Sequence, residues 1–153
     1  MITKECKITK KCCFYASDFH LEMILLPYIK EKINESNFII ITQNDLRDSI
    51  KILLDRVNIK DQEKENILNL NWNKSNIVNE DNIENFDFDN KSVNIIINGD
   101  YNYIQKTNDK LKILSNNSNN SINIIDCFNI SDQKLDINII KNKYKEVLNT
   151  CKI

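Results

Sequence analysis

The chain has 153 residues, of which 41% are hydrophobic and 28% charged, and its net charge is −1. That is the size of one domain with a single core. The balanced charge gives no overall basic excess of the kind that binding nucleic acid through phosphate contacts requires, and no run of about 20 apolar residues is present to cross a membrane. Near-zero net charge also means little self-repulsion, which favours self-association. Five cysteines, Cys6, Cys12, Cys13, Cys127 and Cys151, have no CxxC spacing. They read as free thiols of a reducing compartment, and a cytoplasmic location is expected. Abundant Ile, Asn and Lys imply AT-rich codons and, from composition, a low-GC bacterial source.

Residues 1–10 read as a polar lead-in to one α/β domain covering 1–153. Lys11 to Ala16 is the first predicted strand; its apolar run Cys12-Cys13-Phe14-Tyr15 does not alternate, as expected of a strand covered on both faces. Ser17 and Asp18 are suited to cap a helix. Ser17 with His20 does not spell a capping box. Leu21, Ile24, Leu25, Tyr28 and Ile29 then share one face of a helix predicted to reach Glu35. Pro27 lies inside it and predicts a kink or a break. Asn37 to Thr42 is the second strand. Leu46, Ile50, Leu53, Leu54 and Val57 mark the next helix, with Asn44 or Asp45 as its cap. Lys60 to Glu65 is a charged connector or short helix, and Ile67 to Trp72 alternates weakly enough to suggest a short strand. Lys74 to Lys91 is Asn-rich and acidic, and is expected to form a short helix or an ordered crossover loop. Ser92 to Asn98 is a strand, Tyr101 to Leu114 a helix, and the loop from Ser115 to Ser121 leads to a strand at Ile122 to Phe128. Ser131 or Asp132 starts a turn. Asp136 caps a terminal helix expected to run to about Asn149.

Strands alternating with helices predict a three-layer, doubly wound and mostly parallel sheet of four or five strands, with helices on both faces. A Rossmann-like 3-2-1-4-5 or a flavodoxin-like 2-1-3-4-5 strand order fits equally. In such sheets ligands bind beyond the carboxyl ends of the strands. Four groups should therefore share one edge: Ser17, Asp18 and His20; Gln43, Asn44 and Asp45; Asn98, Gly99 and Asp100; and Asp126, Cys127 and Asn129.

Glycine restricts the chemistry at that edge. Gly99 is the single glycine of the chain, whereas dinucleotide fingerprints and P-loops need several so that backbone can approach phosphate. His20 is the single histidine, so any imidazole chemistry must use it. A catalytic set of Asp18, His20 and Asp100, with Ser17, Asn44, Asp45, Asn98 and Gly99 binding a ligand, is the arrangement an enzyme would use here. A Cys127–His20 nucleophile pair would need the first and last strands to be neighbours. Asp18, Asp45 and Asp100 have the oxygen chemistry that Mg²⁺ takes, but each also stands where a helix cap belongs. No metal or cofactor is assigned. The expected function is that of a small binding or regulatory protein acting on a protein partner or on a second copy of itself as a homodimer, with no role for nucleic acid or membrane. The alternative is a small hydrolase or transferase with an acidic and histidine site at the strand ends, in one form Mg²⁺-dependent.

Overall fold

The computed structural model describes residues 8–74, 92–115, 121–131 and 135–148. The acidic stretch from Glu80 to Asp89, Cys6, Cys151 and the centre of the asparagine-rich loop lie outside these residues. The described elements are, in chain order, β1 (Ile8–Tyr15), α1 (Asp18–Lys32), β2 (Asn37–Thr42), α2 (Arg47–Arg56), α3 (Asp61–Leu68), β3 (Val93–Gly99), α4 (Tyr101–Ser115), β4 (Ile122–Asn129), α5 (Ile137–Lys141) and β5 (Glu146–Leu148).

The strands form one five-stranded sheet in the order β2-β3-β4-β1-β5. Every pair is parallel. The three-layer α/β class read from the sequence is the one observed, but the strand order is neither of the two anticipated. β1 lies between β4 and β5, with Cys13 opposite Cys127 on one side and Leu148 on the other.

Successive side chains of a strand point to opposite faces, and the core divides accordingly. Cys13 and Tyr15 of β1, Phe38 and Ile40 of β2, Ile96 of β3 and Ile125 and Cys127 of β4 pack beneath α1, α2 and α3. Cys12, Ile41, Ile95, Ile97, Ile124 and Phe128 point the other way, against Tyr103, Ile104 and Leu111 of α4 and Ile140 of α5. All seven residues of β3 are buried, Asn94 and Asn98 among them. Each buried Leu or Ile contributes roughly 1.5–3 kcal/mol relative to exposure.

Several boundaries differ from the sequence expectation. β1 begins at Ile8, so Ile8 to Lys10 belong to the sheet rather than to the lead-in. α1 continues unbroken through Pro27. Proline removes one helix hydrogen bond, but Pro27 is on the exposed side, where water can serve the carbonyl left without its donor. The expected strand at 67–72 is instead the end of α3 and the loop after it. Ile67 and Trp72 are both fully buried, and the Trp72 indole N–H donates to the Ile67 carbonyl at 2.8 Å. Helical pairing within Asp61–Leu68 therefore leaves the alternation no sheet edge to join.

The expected terminal helix is also divided. α5 stops at Lys141, and Glu146–Leu148 adds to the free edge of β1. Val147 and Leu148 pack into the cores on opposite faces. The unpaired backbone of β1, the Lys11–Glu146 ion pair at 3.4 Å and the Tyr144 hydroxyl donating to Asp126 together outweigh the helical spacing.

Candidate functional site

The chain out of β1 enters α1 on one face, while the chain out of β4 leads to α5 on the other. The exits of β2 and β3 diverge in the same way, through α2 and α4. Crevices form beside such switch points in parallel sheets. A cleft of about 250 Å³ lies there, lined by Tyr15 from β1, Gln43 and Asn44 after β2, Gly99 and Asp100 after β3, and Asn129 and Ser131 from the end of β4.

Its floor is a buried relay. Tyr15, Asn98 and Thr42 are essentially inaccessible to solvent. The Tyr15 hydroxyl donates to Asn98 Oδ1. Asn98 Nδ2 donates to Thr42 Oγ1 at 3.0 Å, and Thr42 donates to the Asn44 carbonyl at 2.7 Å. Each is a buried polar group with its partner supplied, so the cost of burial is offset. Desolvation raises the Tyr15 pKa, and the nearby Asp18 charge raises it further, so this phenol stays protonated.

The wall between β2 and β3 is a reciprocal clasp. The Asp100 backbone N–H donates to Gln43 Oε1 at 2.8 Å, and Gln43 Nε2 donates to Asp100 Oδ2 at 3.2 Å. Asp100 also caps α4 by accepting the Tyr103 N–H on Oδ1 at 2.8 Å. Gly99 is what lets the clasp close. A Cβ there would lie 2.5 Å from Tyr103 Cδ1 and 2.8 Å from Gln43 Oε1. On the opposite wall, Asn129 Oδ1 accepts both the backbone N–H of Ser131, at 2.9 Å, and its hydroxyl, at 2.6 Å.

Of the residues placed at this edge from the sequence, the cleft gathers Gln43, Asn44, Gly99, Asp100 and Asn129, with Asn98 directly beneath. Ser17, Asp18, His20 and Asp45 serve helix starts. Ser17 caps α1 by accepting the His20 N–H at 3.2 Å, and His20 Nδ1 accepts the Ala16 N–H at 2.9 Å. His20 thus reaches past the N-cap residue to the Ala16 N–H, so Ser17 and His20 do not close a capping box, as the sequence reading expects. Asp45 Oδ1 accepts the Arg47 N–H at 3.0 Å at the start of α2. Asp18 opens α1 and does not line the cleft, although its charge reaches Tyr15. Among the described residues, no three of His, Cys, Asp or Glu come together as a metal-ligand set.

Asp126 and Cys127 are not at the edge. β4 continues to Asn129, so both are buried within the sheet. β1 and β4 are neighbours, as a Cys127–His20 pair would need. However, the Cys127 thiol faces the Ile125 carbonyl at 3.8 Å, and burial raises its pKa strongly. A buried thiol of this kind is a poor nucleophile. Tyr15 and Ser131 are lining residues that the strand-end pattern does not reveal. Tyr15 closes an apolar run and reads as core, and Ser131 lies beyond the predicted strand. Comparison of the chain with protein-family models, with curated proteins and with solved structures finds no match, so the geometry alone carries the functional reading.

Proposed function

We propose that this protein acts by binding, and that it holds a small polar molecule in the cleft at the carboxyl edge of its sheet. The supporting observation is the floor and walls of the cleft, in which hydroxyl, amide and carboxylate groups from the ends of four strands are held in place by hydrogen bonds to one another. A prearranged site loses little conformational entropy when a ligand enters. The hydrolase or transferase reading has less support, because His20 is engaged with Ala16 rather than turned to Asp100. Cys12, Cys13 and Cys127 are free and buried, which is consistent with the reducing interior of a cell as its setting.

The test is a thermal-shift screen of purified protein against nucleotides, divalent metals, phosphorylated metabolites and small amines, amides and polyols. A native-state ligand raises the melting temperature by mass action. The reading predicts at least one hit whose effect is lost in Ser131→Ala. Hits indifferent to that change would place binding elsewhere.

Self-association is a second reading, favoured by one observation on α1. Phe19, Met23 and Pro27 recur at four-residue spacing on its solvent side, and all three are exposed. Sedimentation of wild type and Met23→Glu would decide this. A dimer that dissociates on substitution supports it, whereas a monomer at every concentration removes it.

A further inference from the structure

We propose that the strand-end cleft receives the head group of a small organic cation, a primary ammonium or an amidinium, on acceptor oxygens of Asp100 and Ser131, above a floor that includes Tyr15. This rests on the reading of the cleft as a binding site and names the chemistry of what enters it.

The direction of every hydrogen bond at the cleft is set by a group that has no alternative. The Asn44 carbonyl can only accept, so the Thr42 hydroxyl must donate to it. The Thr42 oxygen therefore accepts from the Asn98 amide nitrogen, which turns Asn98 Oδ1 to Tyr15 and obliges the Tyr15 hydroxyl to donate inward. With its proton committed, the Tyr15 oxygen offers the cleft only lone pairs. The same logic applies at Ser131. Its backbone N–H can only donate, which fixes Asn129 Oδ1 on that side, and the Ser131 hydroxyl proton then goes to the same oxygen. At Asp100, each carboxylate oxygen accepts one bond, from the Tyr103 N–H and from Gln43 Nε2, and each has capacity for another.

The charge agrees with the bonding. Among the described residues, Asp100 is the charged residue of the lining, and no Lys, Arg or His is part of it. Asp18 adds a second negative charge close enough to act on Tyr15. The N-terminus of α4 would otherwise attract an anion, but Asp100 itself occupies it. A phosphate or carboxylate entering here would meet these lone pairs and a like charge, and its side-chain donors would be the neutral amides of Gln43, Asn44 and Asn129. An ammonium or amidinium brings donors to the oxygens, and charge-assisted bonds to a carboxylate are the stronger kind.

The experiment uses four probes built on a four-carbon chain, n-butylammonium, butyramidinium, butyramide and butyrate. Each is titrated into the ¹⁵N-labelled protein, with amide shifts read at Gln43, Asp100 and Ser131. Both cations should move these amides in a saturable way and butyrate should not. Affinity for the cations should fall at least tenfold in Asp100→Asn and several-fold in Ser131→Ala, a change at an exposed turn that keeps the fold readable if Asp100→Asn does not. Cation binding unchanged in both variants would overturn the assignment. Butyrate or butyramide binding at these amides as well as the cations do would overturn the cationic ligand and leave the cleft as a binding site. If none of the four moves these amides, both readings fall.

Discussion

Two residues show how finely the cleft and the core around it are fitted. Gly99 can be nothing larger without displacing Tyr103 or Gln43. Gly99→Ala should therefore destabilise the protein by about 1–3 kcal/mol through overpacking. Denaturant unfolding followed by the fluorescence of Trp72, the sole tryptophan and a buried one, would measure it. The penalty should shrink in a Tyr103→Ala background, and an equal penalty there would disprove the clash as its cause. Glu22 is the second such residue. It is buried between α1 and α2, where its Oε1 contacts Ser49 Oγ and its Oε2 has no partner. Ser49 also lies 3.2 Å from the Leu46 carbonyl. One hydroxyl proton cannot serve both acceptors, but a protonated Glu22 donating to Ser49 frees Ser49 to donate to Leu46. Burial, opposed by the Ser49 bond, raises the Glu22 pKa from 4.5 to about 7. The folded state thus holds a proton that the unfolded chain releases earlier. Its stabilising contribution is complete below about pH 4.5 and is lost as pH rises toward 7. Over that window wild type should lose about 1–3 kcal/mol relative to Glu22→Gln. Parallel pH profiles for the two proteins would contradict this. None of this was legible from residue identity: Glu22 reads as one more charge on a helix, and only the approach of α2 removes its water.

At the scale of elements, the long periodic segments were readable and the short ones were not. α1, β2, β3, α4 and β4 stand close to where their hydrophobic spacing puts them, because each buries a full face. The short helix offered for 60–65 is there as α3, but the strand expected at 67–72 and the helix expected through β5 were misread, since a few apolar residues satisfy either period and tertiary partners decided the outcome. β5 illustrates the decision. Asp126, fully buried, accepts from Asn108 at 2.9 Å and from the Tyr144 hydroxyl, and Lys10 lies 3.6 Å away. Desolvation raises its pKa, and Lys10, Tyr144 and Asn108 oppose the rise. Tyr144 is thereby pinned between α5 and β5, with its ring edge-on to Phe128 at 6.2 Å. Tyr144→Phe keeps the ring and removes the bond, at a cost of about 1–2 kcal/mol. The loss should be local. Hydrogen exchange should quicken at Glu146–Leu148 and along the facing edge of β1, while β2 and β3 keep their protection; uniform acceleration would mean that Tyr144 does not act as a local pin.

For the molecule as a whole, alternation of strands and helices was enough to give the layers and the parallel sheet. It could not give the strand order. That depends on which crossovers pass over a neighbour, and no local pattern records it. β1 hinted at its position through an apolar run that fails to alternate, the mark of a strand covered on both faces. The exposed margins of the sheet are modest. β5 is three residues long, and Thr42 at the end of β2 is bridged to Lys74. Short or covered edges limit indiscriminate strand pairing. If copies of this chain associate, the exposed stripe on α1 is therefore the better candidate surface than the sheet edge.

The place of β1 also has a consequence for the birth of the protein. Ile8 pairs with Ile122, and Lys11 with Glu146, so the first of these strands to leave the ribosome finds its neighbours among the last. Through most of synthesis Cys12, Cys13, Phe14 and Tyr15 have no sheet to enter, and the cleft floor lacks its tyrosine. Long-range parallel pairing is slow and leaves apolar segments open meanwhile. Nascent chains arrested before β4 should be cut readily by protease within β1, and chains released after β5 should resist. Protection of β1 in the shorter chains would show that the sheet assembles by another route.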